Sequence, residues 1–527
     1  MEDDLQSRVG VDYVETARDI VRDIVTGWAK TLTGLRHCDI RLEVQQGKEA
    51  SVENGSVKQA GDDYSFAIGA HVLAGNGALA PGYAGNMLGT ADTSRLGPAI
   101  KEMLTTAHTR AVHSAGLKER ARQRFPTLGS SLADLTWAPV PIHHRTIAAQ
   151  YETDPLGVSL QHLIDIGSEA SKAIAGLGNR VVYNVVWVAT SMIRELFVSS
   201  DGIDIDSEYA QTEALVFVVA AGQEGTLEFY DSLGHQRGFE VLEHGVNSGP
   251  IQLPNLYDFS VTLGKDTLET AAAPAMKDTE TDVTVILDPH FSALVAHEIV
   301  GHPSELDRAL KYETGYAGRS WFYTSPGCDQ RGEQVASELV SAFSDPTIEG
   351  YGHYLYDHEG TPAKRVYHIR DGVYEEFVNN RQTAALFGVQ PNGSCRATDA
   401  SFVPLVRMTN TTFAPGTTDP SDIIGDVEQG FYVSGHRIPS ISESRDNFRI
   451  SALKVYDIKN GELGRLYRNG AVMSDSKNFF MQIDAMGTDW RLYPVPNCGK
   501  GQPMQTKRMS NGGPSIRSVA RITGGSS

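Results

Sequence analysis

The chain has 527 residues, with 46 basic against 65 acidic side chains and a formal net charge of -19 at pH 7. This charge opposes binding to a phosphate backbone, so we expect no nucleic-acid partner. A hydrophobic share of 40% and a charged share of 21% are typical of a globular protein. A chain of this length is too long to fold around one hydrophobic core of ordinary size, which predicts more than one domain.

The N-terminal segment MEDDLQSRVG has neither a basic nor an apolar region, and no apolar run approaches the roughly 20 residues of a membrane span. Four cysteines are too few for a disulfide framework in a chain of this length. We therefore expect a cytoplasmic protein with no membrane partner.

Apolar residues at helical spacing, among them Ala17, Val21 and Ile24, predict an opening amphipathic helix. Apolar residues that alternate with charged ones then predict antiparallel strands on either side of Asn54-Gly55, a pair that favours a tight hairpin turn. Further helices are predicted over about 97–123 and 157–175, followed by strands over 180–245.

The region after residue 246 is rich in β-branched residues, Gly and Pro. Helices are predicted there only at the motif described next and near 332–344. The expected fold class is therefore α+β, with an N-terminal α+β domain over 1–245 that contains an antiparallel sheet. A β-rich C-terminal domain over 246–527 is expected to carry the motif helix.

The motif HEIVGH places His297 and His302 five residues apart. It follows a predicted strand over Val283–Leu287, the N-cap candidate Asp288, and Pro289 at the first helical position. Residues five apart in a regular α-helix are rotated by roughly 140°, so the two imidazoles would not converge on one ion.

The sequence offers a way to bring them together. Gly301 permits unusual backbone angles, and Pro303 disfavours the α region at the preceding residue. We predict a π-type bulge or an early helix end that places His302 on the face of His297. Glu298 is then the candidate general base that takes a proton from a metal-bound water.

A catalytic zinc usually has three protein ligands, and the sequence offers two candidates for the third. Glu305 is near in sequence, although an acid at this place suits a hydrogen bond to a histidine equally well. Cys498 lies close to Lys500, which favours the thiolate. Spacing leaves this choice open. A structural role, in which the two histidines and the glutamate only hydrogen-bond and cap the helix, is a further alternative.

Several segments occur in the order known from one protein family. HEIVGH, with the acids Glu305 and Asp307 after it, resembles that family's HExxxH box. The other segments are IRELFVSSDG, YAGRSWF, DGVYEEFVNNRQTA, VRMTNTTFAPG, NCGKGQPM, SNGGPSIR and ITGG, within about 190–527. The chain therefore resembles the TldD/PmbA family of metallopeptidases, also called modulators of DNA gyrase. It differs at Pro303-Ser304, where better-known bacterial members have small or aliphatic residues.

The resemblance implies a zinc ion bound by His297, His302 and Cys498, with Glu298 as general base. Glu305 is then implied to hydrogen-bond a zinc-binding histidine. The resemblance also implies a catalytic member of the family, because the histidines are present. Dimers are implied as well, either with another copy or with a TldD/PmbA-type paralogue.

The predicted function is zinc-dependent hydrolysis of unfolded peptides in a cleft. One alternative is an enzyme dedicated to maturing a single peptide natural product with the same site. Another is a non-catalytic peptide-binding subunit with a structural metal. Arg381, Arg407 and Asn410 lie in the shared segments and are candidate substrate or dimer contacts, although salt bridges or turn hydrogen bonds suit them equally.

Overall fold

The computed structural model describes residues 9–126, 137–223, 225–313, 315, 318–325 and 327–524. Its helices and strands confirm the predicted α+β class. The α-helices are α1 (Tyr13–Thr26), α2 (Leu96–Arg124), α3 (Leu160–Ala175), α4 (Glu240–His244), α5 (Leu256–Ala271), α6 (Pro289–Val295), α7 (Leu306–Ala309), α8 (Arg381–Phe387), α9 (Pro420–Gly425) and α10 (Ser476–Met481). A π-helical turn spans Ala296–Gly301, and 3-10 turns span Trp28–Thr31, Thr90–Arg95 and His302–Ser304.

The strands in the first half of the chain are β1 (Leu35–Glu53), β2 (Ser56–Ala74), β3 (Ala80–Met87), β4 (His144–Ile147), β5 (Val181–Ser199), β6 (Asp204–Gly222), β7 (Gly225–His235), β8 (Val246–Ser248) and β9 (Ile251–Leu253). Those in the second half are β10 (Val283–Leu287), β11 (Ala342–Ser344), β12 (Val366–Arg370), β13 (Val373–Tyr374), β14 (Cys395–Arg396), β15 (Leu405–Val406), β16 (Thr411–Phe413), β17 (Gln429–Ile441), β18 (Asn447–Lys459), β19 (Glu462–Tyr467), β20 (Gly470–Asp475), β21 (Ala485–Met486), β22 (Arg491–Lys500), β23 (Gln505–Gly513) and β24 (Ile516–Gly524).

The N-terminal sheet has the strand order β3-β2-β1-β5-β6-β4, and β7 pairs with β6. Its first hairpin turns at Asn54 and Gly55, whose positive φ angles of 47° and 76° are those of the predicted tight turn. Along β1, Ile40, Leu42 and Val44 belong to the hydrophobic core that α1 and α2 cover. Alternate side chains of a strand point to opposite faces, so the odd-numbered residues of β1 face away from that core.

Two sheets form the C-terminal half. One has the order β10-β17-β18-β20-β24-β21, and the other has the order β13-β12-β11-β16-β23-β22. Helix α6 packs against β17 of the first sheet and β23 of the second. Its residues Phe291 and Val295 lie in the largest hydrophobic core, so the motif helix is held between the two sheets.

Two local predictions were wrong. Residues 332–344 form turns and β11 instead of a helix, and the amides of Val335 and Ala336 donate to the carbonyl of Gly372. These long-range hydrogen bonds override a helix-like spacing of apolar residues. Helix α5 was not predicted, because small polar residues such as Ser260 and Thr267 occupy part of its buried face and weaken the apolar periodicity.

The predicted domain boundary at 245/246 stays a prediction. None of the helices in the described part of the chain combines the length and the hydrophobicity that a membrane span requires.

Candidate metal centre

The motif helix begins as predicted. Asp288 is its N-cap and accepts a hydrogen bond of 2.7 Å from the amide of Phe291, and Pro289 is the first helical residue. The α-helical part ends at Val295, and the π-helical turn Ala296–Gly301 follows directly. A π turn absorbs one extra residue, so the predicted bulge is confirmed and the two histidines come to one face.

Gly301 ends the π turn where the backbone passes very close to Met408. A Cβ atom at Gly301 would lie 2.5 Å from the Met408 sulfur and 2.9 Å from its terminal methyl group. The absence of a side chain therefore lets the turn pack against this methionine, which is buried together with Cys498 and Met509.

The structure brings together the two histidines of the motif and Cys498 of β22. One potential ligand atom from each residue lies within 4.8 Å of the others. The Cys498 sulfur is 3.6 Å from Nε2 of His302, and the two imidazole rings are 4.7 Å apart at an angle of 88°. All three residues are buried. Among the described residues, no further His, Cys, Asp or Glu joins this group.

The other nitrogen of each ring has its own partner. Nδ1 of His297 lies 3.0 Å from the side-chain oxygen of Asn511, whose amide nitrogen donates to the carbonyl of Thr411. Nδ1 of His302 lies 3.2 Å from a carboxylate oxygen of Glu305. The Nδ1 atom of each ring therefore faces a hydrogen-bond acceptor, which leaves the Nε2 atom for an ion.

Cys498 has the charge state that a metal ligand needs. Burial raises the pKa of its thiol, but His302, His297 and Arg407 together hold the pKa well below the usual value. A thiolate and two imidazole nitrogens form a donor set typical of zinc. The residues present therefore fit a zinc ion, with room in a tetrahedral arrangement for one ligand from solution or substrate.

Glu298 follows the first histidine, and it is the one residue between 291 and 309 that is not buried. Its carboxylate forms an ion pair of 2.5 Å with Arg445. Burial raises the pKa of Glu298, but Arg445 and the two histidines lower it to about 2, so the side chain is ionised at neutral pH. Arg445 has φ 63°, a left-handed backbone conformation, in the turn between β17 and β18.

Glu305, the second candidate for the third ligand, lies on the opposite edge of His302 from Cys498. One of its oxygens accepts hydrogen bonds from Nδ1 of His302 and, at 2.6 Å, from Nε of Arg308. The Nζ atom of Lys500 lies 3.3 Å from the same oxygen. Burial raises the pKa of Glu305, but Lys500 and Arg308 hold it well below its usual value. This carboxylate is thus held on the side of the ring away from the three ligand atoms.

The three candidate substrate or dimer contacts are buried. Arg381 donates to Asp201 at 2.7 Å, and Arg407 donates to the carbonyl oxygens of Cys498 and Gln505. Asn410 accepts from two backbone amides and donates to a third partner, the carbonyl of Ile348. Their proposed contacts with substrate or a partner subunit stay a prediction.

Sequence reasoning missed Arg445 and Asn511. Arg445 contacts Glu298 across 147 residues of sequence, and Asn511 contacts His297 across 214. Arg445 lies in none of the segments that carry the family resemblance, and Asn511 lies in the segment SNGGPSIR but has no spacing that relates it to the histidines. Lys500 was noted beside Cys498, but its nearest charged partners in the structure are Asp307 and Glu305.

Residues 280–524 match the family model of the PmbA/TldA metallopeptidase C-terminal domain. This C-terminal part of the chain therefore belongs to the TldD/PmbA family of metallopeptidases. The matched residues contain the whole motif and Cys498. Within the resembling segment YAGRSWF, residues 316 and 317 lie outside the described part of the chain.

Proteins named metalloproteases are similar to the chain over about three fifths of its length. A metalloprotease of Methanothermobacter thermautotrophicus is 28% identical over 331 residues, which cover 62% of this chain and 67% of that protein. A zinc metalloprotease TldD homologue of Saccharolobus solfataricus is 24% identical and covers 62% of this chain and 68% of its own length.

Solved structures share the fold. A Thermotoga maritima protein described as a modulator of DNA gyrase has a TM-score of 0.69 at 15% identity and covers 96% of this chain and all of its own. TldE from Thermococcus kodakarensis has a TM-score of 0.66 at 15% identity and covers 95% of this chain and 99% of its own.

Proposed function

We propose that the chain is a zinc-dependent peptidase that hydrolyses unfolded peptides in a cleft. His297, His302 and Cys498 would hold the metal, and Glu298 would act as general base. The observation that carries the proposal is the convergence of two imidazole nitrogens and one thiolate beside an ionised glutamate that is not buried. The name of the Saccharolobus solfataricus relative supports zinc as the metal.

Zinc bound to these residues would polarise the scissile carbonyl and make water acidic enough to attack near neutral pH. Three protein ligands are typical of a catalytic zinc, whereas a structural zinc usually has four. Because the group contains three donors among the described residues, its composition favours catalysis over the alternative of a purely structural metal.

Glu298 would accept a proton from the attacking water and then deliver it to the nitrogen of the departing amine, so one carboxylate serves both steps. Its adjacency to His297 keeps it beside the ligands, and its partial exposure allows contact with water and substrate. Arg445 would orient the carboxylate through their ion pair. That pair must lengthen when Glu298 takes up the proton, because a neutral carboxyl attracts the guanidinium less strongly.

Asn511 and Glu305 would position the metal-binding rings. Each accepts a hydrogen bond from the Nδ1 atom of one histidine, which fixes the ring and leaves Nε2 for the ion. We further propose a dimer, formed with a second copy or with a paralogue of the TldD/PmbA type. The similarity in fold to TldE supports a partner of that class.

The test is mass spectrometry of a mixture of unstructured peptides incubated with the purified chain, with and without a chelator and with zinc added back. Cleavage of many peptides only when zinc is present supports the proposal. Cleavage of a single sequence would favour the dedicated maturation enzyme. Catalysis would be contradicted if the chain holds one zinc at this site and yet cleaves no peptide, both alone and together with its partner subunit.

A further inference from the structure

A second group of potential metal ligands lies on the N-terminal sheet, in strands β1 and β2. His37 and Asp39 are two residues apart on β1, so their side chains point to the same face. His71 of β2 is the cross-strand partner of Asp39 in the antiparallel register. The three side chains therefore meet on one face of a sheet, while Cys38 between the first two faces the hydrophobic core.

Both histidine rings of this group contact the carboxylate of Asp39. Nε2 of His37 and Nδ1 of His71 each lie 3.0 Å from the same oxygen, Oδ2 of Asp39. One atom from each of the three residues lies within 4.8 Å of the others. Ligands bound to zinc at about 2.0–2.1 Å in a tetrahedral arrangement are roughly 3.3 Å apart, so only a small expansion would admit an ion.

The surroundings orient the first of these rings. Nδ1 of His37 lies 3.1 Å from Asp201, and Asp201 also accepts a hydrogen bond of 2.7 Å from Arg381. This is the carboxylate–histidine arrangement that fixes the tautomer of metal-binding histidines. The ring of Trp137 packs against both imidazoles, at 5.1 Å from His37 and 5.2 Å from His71. Both rings thus have little freedom to turn away.

The group borders an open space between the N-terminal sheet and the C-terminal half. Asp39 and His71 line a cavity of about 270 Å³ together with Glu359 and Asn380 of the C-terminal half. A cavity of this volume holds several water molecules or a small ligand. An ion held by three protein groups would therefore have open coordination positions that face the cavity.

We propose that His37, Asp39 and His71 bind a divalent transition-metal ion that is separate from the ion at the motif helix. Two imidazole nitrogens and one carboxylate suit zinc and ferrous iron, and they lack the sulfur donor of the other site. The proposal does not rest on the peptidase activity, because it concerns binding alone.

The opposing interpretation is a hydrogen-bonded network without metal. Burial lowers the pKa of His37, but Asp201 and Asp39 outweigh it and raise the pKa above the usual value, which would favour an imidazolium between two carboxylates. In that network one carboxylate could use both of its oxygens. A single carboxylate oxygen also accepts two hydrogen bonds, so the contacts of both rings with one oxygen of Asp39 fit the network as well. The metal is favoured by the further acceptor on Nδ1 of His37 and by the cavity beside the group, and metal analysis decides between the two interpretations.

Metal analysis and cobalt spectroscopy of the purified full chain test the proposal. The wild-type chain should bind two Zn²⁺ or two Co²⁺ ions. The variant Cys498→Ala/His302→Ala should keep one ion, and its Co²⁺ form should show visible ligand-field bands without the sulfur-to-cobalt charge-transfer band of the wild type. Adding His71→Ala should remove the remaining ion, whereas adding the exposed control His113→Ala should leave it.

Circular dichroism and gel filtration would verify that each variant is folded. The proposal would be overturned if the wild-type chain binds one ion and the Cys498→Ala/His302→Ala variant binds none. This outcome does not depend on whether the His71 variant folds. An ion that survives both His71→Ala and Asp39→Asn in folded protein would overturn the assignment of its ligands.

Discussion

The helix-end site (His297, His302 and Cys498) and the sheet-face site (His37, Asp39 and His71) differ in how the backbone brings their ligands together. The helix-end site needs a π turn, and its cysteine comes from a strand 196 residues after the second histidine. The sheet-face site uses the regular register of one antiparallel strand pair. A group of potential metal ligands can therefore form in this fold without an irregular backbone.

The two sites also differ in their donor atoms and surroundings. The helix-end site has a thiolate, and an ionised glutamate beside it is positioned for proton transfer. The sheet-face site has only nitrogen and oxygen donors, and Asp201, which contacts His37 but is not a proposed ligand, accepts a hydrogen bond from Arg381. These differences agree with the roles that we propose, peptide hydrolysis at the helix-end site and metal binding alone at the sheet-face site.

The largest expected effect is a loss of peptide cleavage that arises at the helix-end site alone. Glu298→Gln should lower peptide cleavage by about 10²- to 10⁴-fold, the usual contribution of a general acid or base, because the amide cannot accept the proton. Zinc content should stay as in the wild type, since Glu298 is not a ligand. The measurement is turnover of a fluorogenic peptide together with metal analysis. Glu462→Gln on the exposed surface is the control, and equal turnover in both variants would contradict the general-base role.

The next expected effect concerns metal affinity. Cys498→Ser should weaken zinc binding at the helix-end site by more than about 100-fold, because loss of a direct ligand should exceed the 10–100-fold cost of losing an outer partner. Competition with a chromogenic chelator measures the affinity. Cys328→Ser, at an exposed cysteine, should bind zinc as the wild type does. Unchanged zinc binding in the Cys498 variant would mean that another residue supplies the third ligand.

The outer partners of the two sites give a matched pair of smaller effects. Asn511→Ala should weaken zinc binding at the helix-end site by about 10- to 100-fold and lower cleavage, because the ring of His297 loses its hydrogen-bond acceptor. Asp201→Asn should weaken only the ion of the sheet-face site and leave cleavage unchanged. Titration with Co²⁺ distinguishes the two, since only one site has a sulfur ligand. Reduced cleavage in a folded Asp201→Asn variant would show that the sites are coupled.

The smallest expected effect tests the packing of the π turn. Gly301→Ala places a methyl group against Met408 and should lower the free energy of unfolding by about 1–3 kcal/mol, the usual cost of overpacking. Gly425→Ala is the control, because nothing lies within 4 Å of a Cβ atom there. Thermal and urea unfolding measure the difference. Equal stability of the two variants would show that Met408 moves aside freely.

Much of the helix-end site was predictable from the sequence. The N-cap at Asp288, the proline that starts the helix and the π turn were predicted, and all three are present. The reason given for the turn was wrong, because Gly301 (φ -62°, ψ -61°) and His302 (φ -60°, ψ -43°) both have ordinary α-helical angles. The helix predicted at 332–344 is absent, which shows where local spacing fails as a guide. The backbone amides of Val335 and Ala336 donate instead to the carbonyl of Gly372, a residue far along the chain. Arg445 and Asn511 were equally beyond reach, since their roles depend on contacts across more than a hundred residues.

By itself, the sequence determined the α+β class, the opening hairpin and the need for an irregular turn between His297 and His302, because each depends on neighbours a few residues away. It left open whether Glu305 or Cys498 lies beside the histidines, until resemblance to a family favoured the cysteine. Tertiary structure alone decided which atoms converge. The packing of α6 between two sheets determines how closely β22, with Cys498, approaches the histidines. The register of β1 and β2 brings His71 to Asp39. Neither of these distances can be read from the spacing of the residues along the chain.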